Sequence, residues 1–170
     1  SASAAAARSL PSLAILREEA RMIASDGKER AAAADALEKL ARKAKSKIGR
    51  HALGIALDKT GNAKDAQPQL EQAVADLTDD APNPLAYRTY TALAEILDAN
   101  NDLAGAGKHL DSALKINAGY FPTRALQAKL VLKNQEPDRA LSLLDPLLKE
   151  SCGVTPQVQL TFAEALATHK

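Results

Sequence analysis

At 170 residues, 46% hydrophobic but only 3% aromatic and without Trp, the chain has length for one or two domains but little bulky apolar material for a large compact core. Its net charge of +1 supplies no global field toward nucleic acid or membrane. One cysteine, Cys152, excludes an internal disulfide, and no apolar run approaches the roughly 20 residues of a membrane span.

Residues 1–12 open on the low-complexity SASAAAARS and read as a flexible tether. From there Leu13, Leu16, Ala20, Ile23 and Ala24 recur at helical spacing, and Gly27 is expected to stop that helix. A second helix follows through Ala31–Ala34, Leu37, Leu40, Ala41 and Ala44. Its end is basic (Arg42, Lys43, Lys45, Lys47, then Arg50), which suits the carbonyl-rich end of a helix. The next pair spans about 47–59 and 63–77. Gly61-Asn62 is its turn and N-cap, with Asp65 placed to bind back. Pro68 predicts a kink in the second member, at a cost of about 3 kcal/mol. The connection 78–83 leads to Asn83 and Pro84, a cap and first-turn proline. Gly119 closes the following hairpin and Pro122 opens another. Pro137 starts its partner, Pro146 is expected to bend it, and Gly153 and Pro156 set off a last helix to Lys170. The pattern predicts nine helices and no strand.

The helices repeat. Ala106 and Ala140 lie 34 residues apart, each with a turn residue five before it (Asn101, Gln135), Leu four after (Leu110, Leu144) and an apolar residue seven after (Ala113, Leu147). Ala94 with Leu97 and Ala128 with Val131 occupy matched upstream positions. Ala66, 40 residues before Ala106, repeats the frame with Gly61, Leu70 and Ala73, and Leu53-Gly54 and Leu57 lie upstream. Ala20, Gly27 and Ala32 form a poorer copy, and Ala163 opens a last one. Small residues in step let helices cross closely while Leu fills the grooves, and a fixed period of this size signals stacked hairpins.

Through Leu53-Gly54…Leu57…Gly61-Asn62…Ala66…Leu70…Ala73 the chain resembles tetratricopeptide repeats (TPR). Residues 47–80, 87–120 and 121–153 carry the resemblance, with poorer copies at 13–46 and a partial one at 155–170. Family aromatics at the starts of first helices are met only near Tyr87 and Tyr90, and the family's proline is displaced to Pro82 and Pro84. The resemblance implies an all-α, right-handed α-α superhelix, a solenoid of helix hairpins.

Residue patterns for chemistry are absent. His51, His109 and His169 stand far apart without metal-ligand neighbours, and Cys152 has no adjacent base. Gly105 and Gly107 follow no strand and sit in a helical frame, where they are expected to permit close packing. Glu95 and Asp98 share a helix face, a pattern met more often in solvated carboxylates than in acid–base catalysis. No cofactor, no metal and no enzymatic activity is therefore expected.

What the resemblance implies instead is non-catalytic protein binding, as an adaptor or assembly scaffold that takes a partner peptide or helix in a concave groove lined by first helices. By frame, that groove holds Arg17 and Arg21; His51, Ile55 and Asp58; Arg88, Thr91 and Glu95; Ala125, Lys129 and Leu132; and Glu164. Family members that clamp a C-terminal carboxylate use Lys and Asn at such sites, where this chain has His51, Ile55 and Thr91. Two alternatives stand beside this reading. The partial hairpin at 155–170 would leave an apolar edge (Val158, Leu160, Phe162, Leu166) for a homo-oligomer. The run 39–50, with six cations in twelve residues, is the candidate for nucleic acid or an anionic membrane, although no aromatic is interleaved for base stacking. Charge also shifts along the chain, with 11 basic and 6 acidic residues in 1–50 against 5 and 10 in 51–120. Starting at Ser and stopping within a repeat, the chain reads as a piece of a longer protein. An upstream signal or anchor would decide its compartment, a cytoplasmic setting being favoured over a membrane-tethered or periplasmic one.

Overall fold

The computed structural model describes residues 21, 27–44, 47–59, 61–77, 85–150 and 155–169. Among them there is no strand, and eight helices follow one another: α1 (Gly27–Ala44), α2 (Lys47–Lys59), α3 (Ala63–Ala75), α4 (Ala86–Ala99), α5 (Leu103–Ile116), α6 (Phe121–Lys133), α7 (Pro137–Lys149) and α8 (Pro156–Thr168). Of the helix expected from Leu13, only Arg21 is described, and it is helical. The tether 1–12 and the connection 78–83 lie outside the described residues. Gly27 heads α1.

The chain forms two compact units, Ser1–Ile96 and Leu97–Lys170, and the boundary falls inside α4. In the first, α2 packs against both α1 and α3, and one cluster runs from Ala33 and Leu37 through Leu53, Ala56, Ala66 and Leu70 to Leu93 and Ile96. Gly54 explains the close approach of α2 to α3. A Cβ built on it would stand 2.5 Å from both Cγ and Cδ2 of Leu70, which is itself fully buried. In the second unit α6 packs on α5, α7 and α8, and α7 packs on α8. Its core joins Ala128 and Val131 to Ala140, Leu144, Leu147, Val158 and Ala165.

One turn recurs three times. The N–H of Asn62 donates to the Leu57 carbonyl at 2.8 Å and that of Gly61 to Asp58 at 3.0 Å. Forty residues on, Asp102 donates to Leu97 (2.8 Å) and Asn101 to Asp98 (3.0 Å). Thirty-four further, Glu136 donates to Val131 (3.2 Å) and Gln135 to Leu132 (2.9 Å). This is the Schellman pattern, which satisfies carbonyls at a helix end and needs a left-handed residue. Gly61, Asn101 and Gln135 supply it, with φ of 83°, 63° and 64°. The two non-glycine residues carry a strain of roughly 1–2 kcal/mol each. Beyond each turn the frame residues Ala66, Ala106 and Ala140 are fully buried, as are Leu70, Leu110 and Leu144 four residues on.

A second device repeats in the same register. Nε of Arg50 on α2 donates to the carboxylate of Asp76, the C-cap of α3, at 2.6 Å. Seventy-four residues later Arg124 on α6 donates to Glu150, the C-cap of α7. Each arginine ties the start of a first helix to the end of the second helix of its hairpin.

Several local expectations are corrected. The Asn62 side chain makes no cap hydrogen bond to the backbone and donates to the Asp65 carboxylate at 2.8 Å. Asp102 caps instead, accepting from Gly105 N–H at 2.9 Å. Its carboxylate leans over Gly105, where a Cβ would lie 2.3 Å from Oδ2, whereas a Cβ on Gly107 meets nothing within 4 Å among the described residues. Close helix packing therefore accounts for neither α5 glycine. Both Pro68 and Pro146 lie inside continuous helices, α3 and α7, as expected of their positions.

The same substitution should have opposite signs at two glycines. Gly54→Ala gains about 1 kcal/mol of helix propensity but overpacks a fully buried contact, costing about 1–3 kcal/mol. The net is a loss near 1 kcal/mol. Gly107→Ala meets open space and should stabilise by up to about 1 kcal/mol. Urea unfolding midpoints of the two variants against the parent chain check this.

Candidate functional site

Placement of the groove residues follows from how each helix is covered. In α2 every residue from His51 to Leu57 is buried, because α1 and α3 both pack on it and Ala92, Leu93 and Ile96 of α4 join the same cluster. Nδ1 of His51 approaches the Thr89 hydroxyl of α4 to 2.5 Å. Ile55 sits in the same core, and the buried Thr91 hydroxyl donates to the Tyr87 carbonyl at 2.8 Å. His51, Ile55 and Thr91 therefore pack inside the first unit and do not face solvent. The sequence frame assumed a free face on α2 that side chains of α1 and α4 cover. Arg21 is exposed and Arg88 half-buried, while Arg17 lies outside the described residues.

Asp58 and Glu95 are brought together by a residue outside the expected set. Lys59 Nζ lies 2.7 Å from Glu95 Oε2 and 2.9 Å from Asp58 Oδ2. Burial works against the Lys59 ammonium, but the charges and hydrogen bonds of Glu95 and Asp58 outweigh it, and the amine is held above its ordinary range.

In the second unit, Lys129 Nζ donates to Asp98 Oδ2 at 2.8 Å, and Lys133 donates to Oδ1 of the same carboxylate. Asp98 is 4% exposed and each lysine 36%. Burial raises the Asp98 carboxyl, yet hydrogen bonds from the two ammonium groups and their charges prevail, so it lies below the ordinary Asp value of 3.8. Glu95 and Asp98 thus enter separate ion pairs and do not act as a carboxylate couple.

A concave cavity of about 610 Å³ opens among α6, α7 and α8, lined by Leu132, Gln135, Pro137, Glu164 and Thr168. It unites Leu132 and Glu164, which the repeat frame had placed in the groove. Gln135 and Pro137 were missed as lining residues, although the frame had already marked both as turn and helix start. Nearby acids have partners: Glu136 accepts from Arg139 at 3.1 Å, and Asp138 meets Nδ1 of His169.

The other two candidate surfaces look different in detail. On α1, Arg42 donates to Glu38 at 2.8 Å through Nε, and on α2 Arg50 is committed to Asp76, so among the described residues of 39–50 these two cations are paired with carboxylates. On α8, Leu160 and Leu166 are 54% and 52% exposed. Val158 is buried, however, and Phe162 packs on the core, so the apolar edge is narrower than expected. Among the described residues no group of three His, Cys, Asp or Glu is placed to hold a metal ion, and no helix is long and apolar enough to cross a membrane.

Acidification should expose the role of Asp98. With its folded-state pKa depressed, its contribution is fully present above the unfolded value of 3.8 and is lost as pH falls through the folded one. Asp98→Asn should cost about 1 kcal/mol at neutral pH, because each lysine remains partly open to water. Urea midpoints of parent and variant should differ at about pH 7 and converge toward about pH 2.

No family model and no curated protein matches the chain. Among solved structures it is similar to the crystal structure of the Podosopora anserina "kinesin light chain nearly identical TPR-like repeats", with a TM-score of 0.64 at 20% identity over 93% of this chain and 87% of that one. At that identity the likeness speaks for architecture, and together with the recurring turn it establishes a TPR-like helical-repeat fold.

Proposed function

We propose that the chain is a non-catalytic protein-interaction module, an adaptor or assembly scaffold, that holds a partner peptide or helix on the α6–α8 face of the second unit. TPR-like repeats serve in general as protein-interaction scaffolds, because stacked hairpins present extended concave surfaces. The observation that carries the reading is the cavity itself, about 610 Å³ in size, with Leu132 and Pro137 as apolar lining and Gln135, Glu164 and Thr168 as polar groups. That mixture fits a binding site that fixes orientation with a few polar atoms. Lys129 flanks it one turn before Leu132 on α6. In the first unit Arg21, Asp58, Arg88 and Glu95 are the remaining candidates for partner contact.

Peptides selected from a random-sequence display library on the intact chain provide the test. A bound peptide is expected to shift the NMR signals of Leu132, Gln135 and Thr168. Shifts confined to Asp145 and Lys149, which are exposed on α7, would contradict the assignment.

A second reading is self-association through α8. Only one residue of this helix, Glu164, is charged, and Leu160 and Leu166 are exposed on it. Charge depletion beside exposed Leu is the composition of an interface centre. Light scattering should then show a mass that rises with concentration in the parent chain and stays monomeric in Leu160→Gln/Leu166→Gln. A concentration-independent monomer in the parent rules it out.

A further inference from the structure

Resting on the interaction reading above, we infer that the α6–α7–α8 cavity is an acceptor-rich socket for a long cationic side chain, Lys or Arg, of the bound partner. Among the described residues lining it, Glu164 is the charged one. Among the described residues no cation pairs with this exposed carboxylate, whereas the neighbouring acids Glu136 and Asp138 are engaged by Arg139 and His169. The Thr168 hydroxyl commits its hydrogen to the carbonyls of Glu164 and Ala165, at 3.0 and 3.1 Å, so toward the cavity it offers lone pairs. Gln135 adds a side-chain amide, which carries an acceptor oxygen beside its N–H donors. Leu132 sits in the last turn of α6 and Thr168 ends α8, so two helix C-termini border the cavity. The opposing N-terminus of α7 is weak here, since Pro137 has no N–H and Asp138 neutralises the first turn. The apolar portion, Leu132 and Pro137, matches a methylene stem, and long cationic side chains bury their stem while the head stays wet.

The experiment uses three small probes on the intact isotope-labelled chain: n-butylguanidinium, n-butylammonium and n-butyrate. The two cations should shift Leu132 methyl, Gln135 and Thr168 signals saturably, butyrate should not, and Glu164→Gln should weaken the cations by roughly tenfold, the scale of one charge-assisted hydrogen bond. Glu164 is exposed, so this variant leaves packing intact. Equal shifts with butyrate, shifts scattered over other acidic positions, or undiminished binding to Glu164→Gln would overturn the assignment. Library peptides separate this failure from that of the wider reading. A peptide without Lys or Arg that shifts Leu132, Gln135 and Thr168 and binds Glu164→Gln as tightly as the parent overturns the socket while the interaction face stands.

Discussion

Close crossing of helices at small residues is the constraint on which the structure depends. With almost no aromatic side chains, the chain cannot fill wide gaps between helices, so the helices must come close enough for Leu to fill what is left. Gly54 beneath Leu70 is one instance. Ala66, Ala106, Ala128 and Ala140, all without exposed surface, are the others. Each crossing needs a turn that brings the second helix back at a fixed angle, and the three left-handed turns at Gly61, Asn101 and Gln135 provide it. The strain accepted at the two non-glycine positions shows how strongly the geometry is imposed by packing on either side.

Fold class was legible because small residues in step are a periodic signal, and periodicity survives low overall similarity. The turn positions were legible for the same reason: Gly61, Asn101 and Gln135 stand at one offset from the frame alanines. Side-chain partnerships were not. Lys59 with Glu95 spans 36 residues, and Lys129 and Lys133 with Asp98 span 31 and 35. No local rule links residues so far apart. Burial on the far side of α2 was missed because the frame marks which face meets the partner helix, not what lies over the opposite one. Asn62 makes no side-chain cap bond; its amide nitrogen donates to the neighbouring Asp65 carboxylate, which orients the side chain by its donor and not by the oxygen that a cap would use.

The site follows from the same economy. Where helices meet through Ala and Leu, the ends of the hairpins are left to short polar and charged groups, and α6–α8 gather theirs around one hollow. Its rim is built from residues that already terminate or start helices, so the hollow and the turn share one piece of backbone.

The recurrence of the arginine ties has a consequence for how force or heat would undo the molecule. Arg50 with Asp76 and Arg124 with Glu150 each close a loop of the same length within one hairpin. Links of such short range assemble quickly and carry little chain-closure entropy. The natural breaking unit is then a single hairpin that opens and recloses while its neighbours persist.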